Sequence, residues 1–300
     1  MIVTNHLTAS QTAHAAALEA VCRKSDGLQG SFFLSEDLNF DDKFPCFYLL
    51  YHPDAAEELI SFLSVFVPAR TEPAEIYAYT APAWRRRGCF NSLLEAALRN
   101  LCAYGIPSVC FVHEPGGKAA KAVLAGLDTE YLYSEYLMKC EPELRCCHRH
   151  PAEFPPLALL PSDSADIPAI SRLHSESFGS TTSHELICEV FSDRCCQSRK
   201  LVSVPSTSEL LGICFYTPLE TEVSVFGVAI ASAHRRKGYG LCMLRLLLDE
   251  ISGRYPGIPV TLQVSSRNSA AFALYQKLGF HVSVQFDYDY ADCSGLLELF

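Results

Sequence analysis

No Cys-x-x-Cys spacing occurs among the fourteen cysteines of this 300-residue chain, so the commonest zinc and dithiol frameworks are missing. Two adjacent pairs exist, Cys146-Cys147 and Cys195-Cys196, and neighbouring residues do not readily turn both sulfurs toward one ion. Cys146-Cys147-His148-Arg149-His150 is the only stretch that mixes ligand types, and it reads as polar linker rather than metal site. Other cysteines lie in apolar runs such as Ser108-Val109-Cys110-Phe111-Val112, where a reduced thiol acts as a small hydrophobe. No metal is expected. Positive charge is also short: 24 Lys and Arg against 34 Asp and Glu leave a net charge of -10. Nucleic-acid affinity comes largely from basic side chains releasing counterions, so that class of partner is excluded, and a cationic substrate fits better. No uncharged apolar run approaches the roughly 18 residues of a membrane span. The first residues, Met1-Ile2-Val3-Thr4-Asn5-His6, show no basic region leading into an apolar core. A soluble, cytoplasmic protein without a membrane partner is the expectation.

What the chain does contain is enough apolar material, 49% of its residues, for one large core or two ordinary ones. It also repeats itself. Arg85-Arg86-Arg87-Gly88-Cys89-Phe90 matches Arg235-Arg236-Lys237-Gly238-Tyr239-Gly240 at a spacing of 150 residues. Strand-like runs precede both, Ile76 to Thr80 and Val223 to Ile230. Helical spacing follows both: Leu94, Leu98 and Leu101 in one copy, Leu241, Leu244, Leu248 and Ile251 in the other. Each copy continues through a short strand, Val109 to Val112 or Val260 to Val264, and a second helix. In the later copy that helix carries Ala271, Leu274 and Leu278 and stops at Gly279. Aromatic-rich strands, Tyr131 to Lys139 and Phe280 to Tyr290, close the two halves. Arg145 to Pro156, with three prolines and no periodicity, is the linker. The expected organisation is two α+β domains, 1–144 and 157–300, joined by 145–156.

A strand running into Arg-x-x-Gly-x-Gly and then a helix makes a particular object. The glycines open backbone angles closed to other residues and let a ligand approach the amides. Amides in the first helical turn have no intrahelical acceptor and sit at the positive end of the helix dipole, so a pyrophosphate suits them. Arg235, Arg236 and Lys237 add positive charge beside them. Other readings of the glycines fail, because a dinucleotide fingerprint needs glycine where Met243 stands and a Walker loop needs Gly-Lys-Ser/Thr.

Downstream, Asn268, Ala271, Tyr275, Gly279 and Phe280 stand in an Asn-x-x-Ala-x-x-x-Tyr-x-x-x-Gly-Phe arrangement. Together with the glycine turn this resembles the GNAT acetyltransferase superfamily, over nearly all of Leu157 to Tyr290. The resemblance implies two tandem GNAT-like domains, each with a mixed, mostly antiparallel central sheet flanked by helices. It implies acetyl-CoA as co-substrate. Backbone groups of Val228 and Ile230 would meet its pantetheine arm, and Arg235, Arg236, Lys237, Gly238, Tyr239, Gly240 and Leu241 would cradle its pyrophosphate. Asn268 would bond the pantetheine, cap a helix, or do both. Tyr275 would protonate the departing thiolate, the alternative being that it packs at the rim of its helix. An amine, on a small molecule or a peptide, would attack the thioester directly, with a strand amide stabilising the oxyanion.

The general base is less legible. Many relatives carry a carboxylate fourteen residues before the first motif glycine, and here that position is Ser224. Glu222 shares its strand face and is the candidate in its place, with an ordinary charged strand-end residue as the alternative. Asp287, Tyr288 and Tyr290 are candidates for lining the acceptor pocket, as are the helices near Ile167 to Phe191. The first copy has Phe90 for the second glycine, Gly117 for Asn268 and Leu124 for Tyr275. The loss of a proton donor argues against catalysis there, while Arg85 to Gly88 leaves weak acetyl-CoA binding open. A non-catalytic acyl-CoA sensor is the alternative function.

Overall fold

The computed structural model describes residues 1–31, 39–144, 156–179, 183–204 and 209–300. The Cys146–His150 stretch, and the expected linker apart from Pro156, lie outside these residues. In chain order the first half runs β1 (Ile2–Thr4), α1 (Ala9–Asp26), β2 (Phe47–His52), β3 (Ala55–Phe66), β4 (Ala74–Thr80), α2 (Cys89–Ala103), β5 (Ser108–His113), α3 (Lys118–Leu124) and β6 (Glu130–Cys140). The second half runs β7 (Leu157–Pro161), α4 (Ile167–Phe178), α5 (Ser183–Ser192), β8 (Gln197–Ser203), β9 (Leu210–Pro218), β10 (Val223–Ile230), α6 (Tyr239–Arg254), β11 (Val260–Ser265), α7 (Ser269–Lys277), β12 (His281–Asp292) and α8 (Cys293–Leu297).

Local chemistry accounts for the helix ends. Thr8 and Gln11 form a reciprocal capping box at the start of α1, and Gly27 ends it in the left-handed conformation at φ 71°. Asn268 accepts from the Ala271 amide at 3.1 Å and so caps α7. The leucine spacings bury as their period requires. Leu93, Leu94, Leu98 and Leu101 of α2 are fully buried, as are Leu247 and Ile251 of α6. Each such side chain contributes about 1.5–3 kcal/mol of burial.

Two compact units result, and their membership differs from a simple cut of the chain. The first is Met1–Glu135 with Val284–Phe300, and the second is Tyr136–Ser283. In the first unit the strand order is β1-β2-β3-β4-β5-β12. All its ladders are antiparallel except β4 with β5. In the second the order is β7-β8-β9-β10-β11-β6, with β10 and β11 the parallel pair among antiparallel ladders from β7 to β10. The strands of each unit form a mixed, mostly antiparallel array flanked by helices, as the resemblance implies. The closing strand of each unit comes from the opposite half of the sequence. β12 pairs with β5 from Asp287↔His113 to Asp292↔Ser108, and Cys293 and Leu296 of α8 are buried in the core that α2 fills.

Candidate active site

The second unit places its candidate residues around a gap between two strands. β10 and β11 pair over Val223↔Val260, Ser224↔Thr261 and Val225↔Leu262, and the ladder ends there. β10 runs on to Ile230 and β11 to Ser265, so Val228 and Ile230 both lie beyond the last pair. Against β9, the register of β10 jumps between Phe226 and Ala229. That bulge is built on Gly227, at φ 58°. A Cβ there would stand 2.3 Å from the Phe215 ring, so only glycine fits. The bulge reverses which side chains face which layer. Val223 and Val225 pack with α6, whereas Ala229, two residues past the bulge, packs with Ile170 and Leu173 of α4.

The turn that follows holds two left-handed residues, Arg236 at φ 63° and Gly238 at φ 82°, and α6 starts at Tyr239. The three bases do different work. Arg235 secures the turn by donating from Nε to the Ile230 carbonyl at 2.8 Å and from its guanidinium to Ser177 Oγ at 3.0 Å. Lys237 folds back to the Ala233 carbonyl at 2.8 Å. Arg236 is exposed. Gly240 is where strand, turn and α7 converge, since a Cβ there would meet Leu274 at 3.3 Å and Ile230 at 3.7 Å. The turn thus brings backbone amides without intrahelical acceptors to the start of α6, the kind of donor that an anionic group accepts from. Tyr239 and Leu241 are half-buried in the first turn of α6.

Tyr275 lies on α7 and is 6% exposed, with its ring centroid 5.9 Å from that of Phe280. Burial, with the nearby Cys214 adding to it, pushes its phenol up to about 12, so at neutral pH it is protonated. Glu222 is half-buried at the hairpin between β9 and β10, where its carbonyl accepts from the Leu219 amide at 2.8 Å. It therefore sits at the opposite end of β10 from the turn. Asp287, Tyr288 and Tyr290 are not in this unit: hydrogen bonding of β12 along β5 places them in the first. Sequence reasoning also missed Gly227, although an isolated glycine inside a strand pattern is a bulge signal.

Residues 167–280 match the model of the acetyltransferase (GNAT) family. Among curated proteins, the chain is similar to the ribosomal protein bS18 alanine N-acetyltransferase of Escherichia coli K12, 38% identical over 61 residues. That match covers 20% of this chain and 40% of the relative, so the chain spans about two fifths of the curated proteins it matches. Among solved structures, a GCN5-related N-acetyltransferase from Sphaerobacter thermophilus superposes with a TM-score of 0.73, at 19% identity, over 97% of this chain and 95% of that one. A tandem GNAT protein from the clavulanic acid biosynthesis pathway gives 0.67 at 13% identity, over 94% and 95%. These two share the fold across both units. With the glycine turn, the parted strands and the capped α7 all present, the segment from Ile167 to Phe280 belongs to the GNAT acetyltransferase family.

Proposed function

We propose that the protein is an N-acetyltransferase that binds acetyl-CoA in its second unit and moves the acetyl group to an amine by direct attack, without an acyl-enzyme. The observation that carries this reading is the convergence at Gly240 of the amide turn, the freed end of β10 and the helix of Tyr275. Acetyl-CoA supplies the activated acetyl thioester. The chain's part is to hold the pyrophosphate over the amides of Arg236 to Leu241 and to offer β10 backbone groups at Val228 and Ile230. Tyr275, protonated at neutral pH, donates a proton to the leaving sulfur. The acceptor is an amine on a small molecule or a peptide, and the expected compartment is the cytoplasm. Glu222 is proposed as base through water, but its place at the hairpin supports it less than the register position of Ser224 would support a carboxylate.

That missing carboxylate favours a second reading, a sensor that binds acyl-CoA without turnover. Calorimetry and thiol release separate the two. Gly238→Glu puts a carboxylate where the phosphates sit and should weaken binding to the second unit at least 100-fold; unchanged affinity sinks the assignment. Tight binding without thiol release from acetyl-CoA over polyamines, aminoglycosides, amino acids and peptides selects the sensor.

A further inference from the structure

A cavity of about 920 Å³ opens in the first unit where β4 and β5 part, as β10 and β11 do in the second. Tyr77 of β4 lines it and donates to Glu75 Oε2 at 2.6 Å, and the two ladders set Glu75 level with Ser224. A smaller cavity, of about 250 Å³, shares no wall with it. Its walls are the end of α2 with Cys102, the turn from Gly105 to Pro107, and the start of α8 with Cys293. All of these belong to the first unit. Two thiols from opposite ends of the sequence thus face one opening.

The backbone fixes both cysteines. Cys102 is exposed in the last turn of α2. The chain then turns at Gly105, φ 77°, whose amide donates to the Cys102 carbonyl at 3.0 Å, while the Ile106 amide donates to the Leu101 carbonyl at 2.9 Å. Pro107 leads into β5, and β12 ends beside it with Asp292↔Ser108. The next residue, Cys293, donates from its amide to the Pro107 carbonyl at 2.8 Å. Its thiol is 1% exposed yet borders the cavity. Burial first, then the charges of Cys102 and Asp292 and the hydrogen bond with Cys102, push that thiol up to about 12. Among the described residues no group of three or more histidine, cysteine or acidic side chains is placed to hold a metal, so the chemistry here is that of two thiols. The second copy does not repeat it: Ser252 stands 150 residues after Cys102, and its hydroxyl donates to the Leu248 carbonyl of its own helix at 2.7 Å.

We propose that Cys102 and Cys293 are a redox modification site, oxidised reversibly by low-molecular-weight disulfides of the glutathione class to a bond that ties α8 to the end of α2. Cys102, the exposed partner, attacks first as its thiolate. A bond forms between its Sγ and one sulfur of the disulfide, the disulfide's own S–S bond breaks, and one thiol leaves. That step removes the Cys102 charge and hydrogen bond that hold the Cys293 proton in place. Cys293 then gives its proton to water and attacks Cys102 Sγ, and the second thiol leaves. Two protein thiols lose two electrons, and one small disulfide becomes two thiols. The order is set by exposure, since Cys293 is reached only through the cavity that Cys102 borders.

The test incubates the full chain with glutathione disulfide, caps remaining thiols with iodoacetamide and maps the peptides by mass spectrometry. A bond between the peptides of Cys102 and Cys293 is expected, and dithiothreitol should reverse it. In Cys293→Ser the reaction should stop after its first step and leave a glutathione adduct on Cys102; Cys293→Ala serves where the hydroxyl unfolds the chain. In Cys102→Ser, Cys293 should gain neither bond nor adduct. Because the bond closes a long loop, oxidation should raise the melting temperature by roughly 5 °C or more, a shift that Cys102→Ser abolishes. A lasting glutathione adduct on Cys102 in the unchanged chain overturns the proposal, as does a bond from Cys102 to any other cysteine. So does an adduct on Cys293 in Cys102→Ser, a melting temperature indifferent to oxidation, or a shift that survives Cys102→Ser.

Discussion

In the second unit β10 breaks its register with β9 at Gly227, whereas β4 of the first stays in register with β3 from Phe66↔Glu75 through Ser61↔Thr80. The bulged strand accompanies the intact glycine turn and Tyr275; the regular strand accompanies the Glu75–Tyr77 pair and the 920 Å³ cavity. Similar sets of parts are distributed unevenly between the two copies. The same divergence runs into the supports. Where the first unit holds Tyr48 of β2 with neutral groups, Asn100 at 2.9 Å and the Pro45 carbonyl at 3.0 Å, the second buries a charged triad. There Arg199 of β8 meets Glu250 of α6 at 2.6 Å and Tyr216 donates to Glu250 at 2.8 Å. Degradation of a motif in one copy is therefore a poor guide to whether its cleft survives.

The sharpest way to break the comparison is Tyr275→Phe. If the second unit does the Tyr275 chemistry, the kcat of that unit's reaction should fall by about 10²–10⁴-fold with coenzyme A affinity little changed. Leu124→Ala should cause no comparable loss per folded molecule, so kinetics are read beside thermal melts. Equal effects from the two changes would mean that packing, not proton donation, is being measured. Next in size is Glu250→Ala. It leaves the buried Arg199 guanidinium without its carboxylate and should cost about 3–5 kcal/mol in urea denaturation. Asn100→Ala leaves Tyr48 its bond to Pro45 and should cost only about 1 kcal/mol.

Much of this was legible in the residues. The 150-residue repeat, the leucine faces of α2 and α6, the cap at Asn268 and the glycine turn all follow from local rules that act within a few residues, and the structure has them. Membership of β12 was not legible. Asp287, Tyr288 and Tyr290 look like the end of the second copy, and only the β12 ladder along β5, a contact far apart in sequence, assigns them to the first unit. The Glu75–Tyr77 pair was missed for a related reason. Counted from the glycine motif, Glu75 is thirteen residues ahead of Gly88, whereas Ser224 is fourteen ahead of Gly238. The bulge at Gly227 inserts that one residue, and only the sheet register aligns the two positions.

The Glu75 carboxyl also predicts how the first unit responds to pH. Its folded value of about 7 lies above its ordinary one of 4.5, so the folded state keeps the proton over a range where the unfolded chain has lost it. Stability from this group is then fully present below about pH 4.5 and is lost as pH rises through 7. The loss amounts to roughly 3 kcal/mol at one pKa unit per 1.36 kcal/mol. Glu75→Gln keeps an acceptor for Tyr77 and should raise the melting temperature at pH 8 while leaving it unchanged at pH 4. An equal gain at both would show that charge burial is not what holds Glu75 up.

The smallest expected effect tests how each unit treats its first arginine. Arg85 and Arg235 anchor their turns alike, from Nε to the Thr80 carbonyl at 3.0 Å and to the Ile230 carbonyl at 2.8 Å. Beyond that they differ, because Arg85 forms two 2.8 Å bonds to Asp26 while Arg235 meets the neutral Ser177. Asp26 compensates a charge that the second unit leaves available to phosphate. Asp26→Ser copies the second unit into the first. The pair is partly exposed, so its loss should cost about 1 kcal/mol or less. Even that is offset, since a carboxylate in the last turn of α1 opposes the helix dipole. With the Thr80 bond holding the turn, the released guanidinium should raise any coenzyme A affinity of the first unit a few-fold, measured in the Gly238→Glu chain. The mirror change, Ser177→Asp, should lower affinity in the second unit by a similar factor. If neither moves binding while both shift the melting temperature, the arginines serve only to hold their turns and the phosphates rest on backbone amides in both halves.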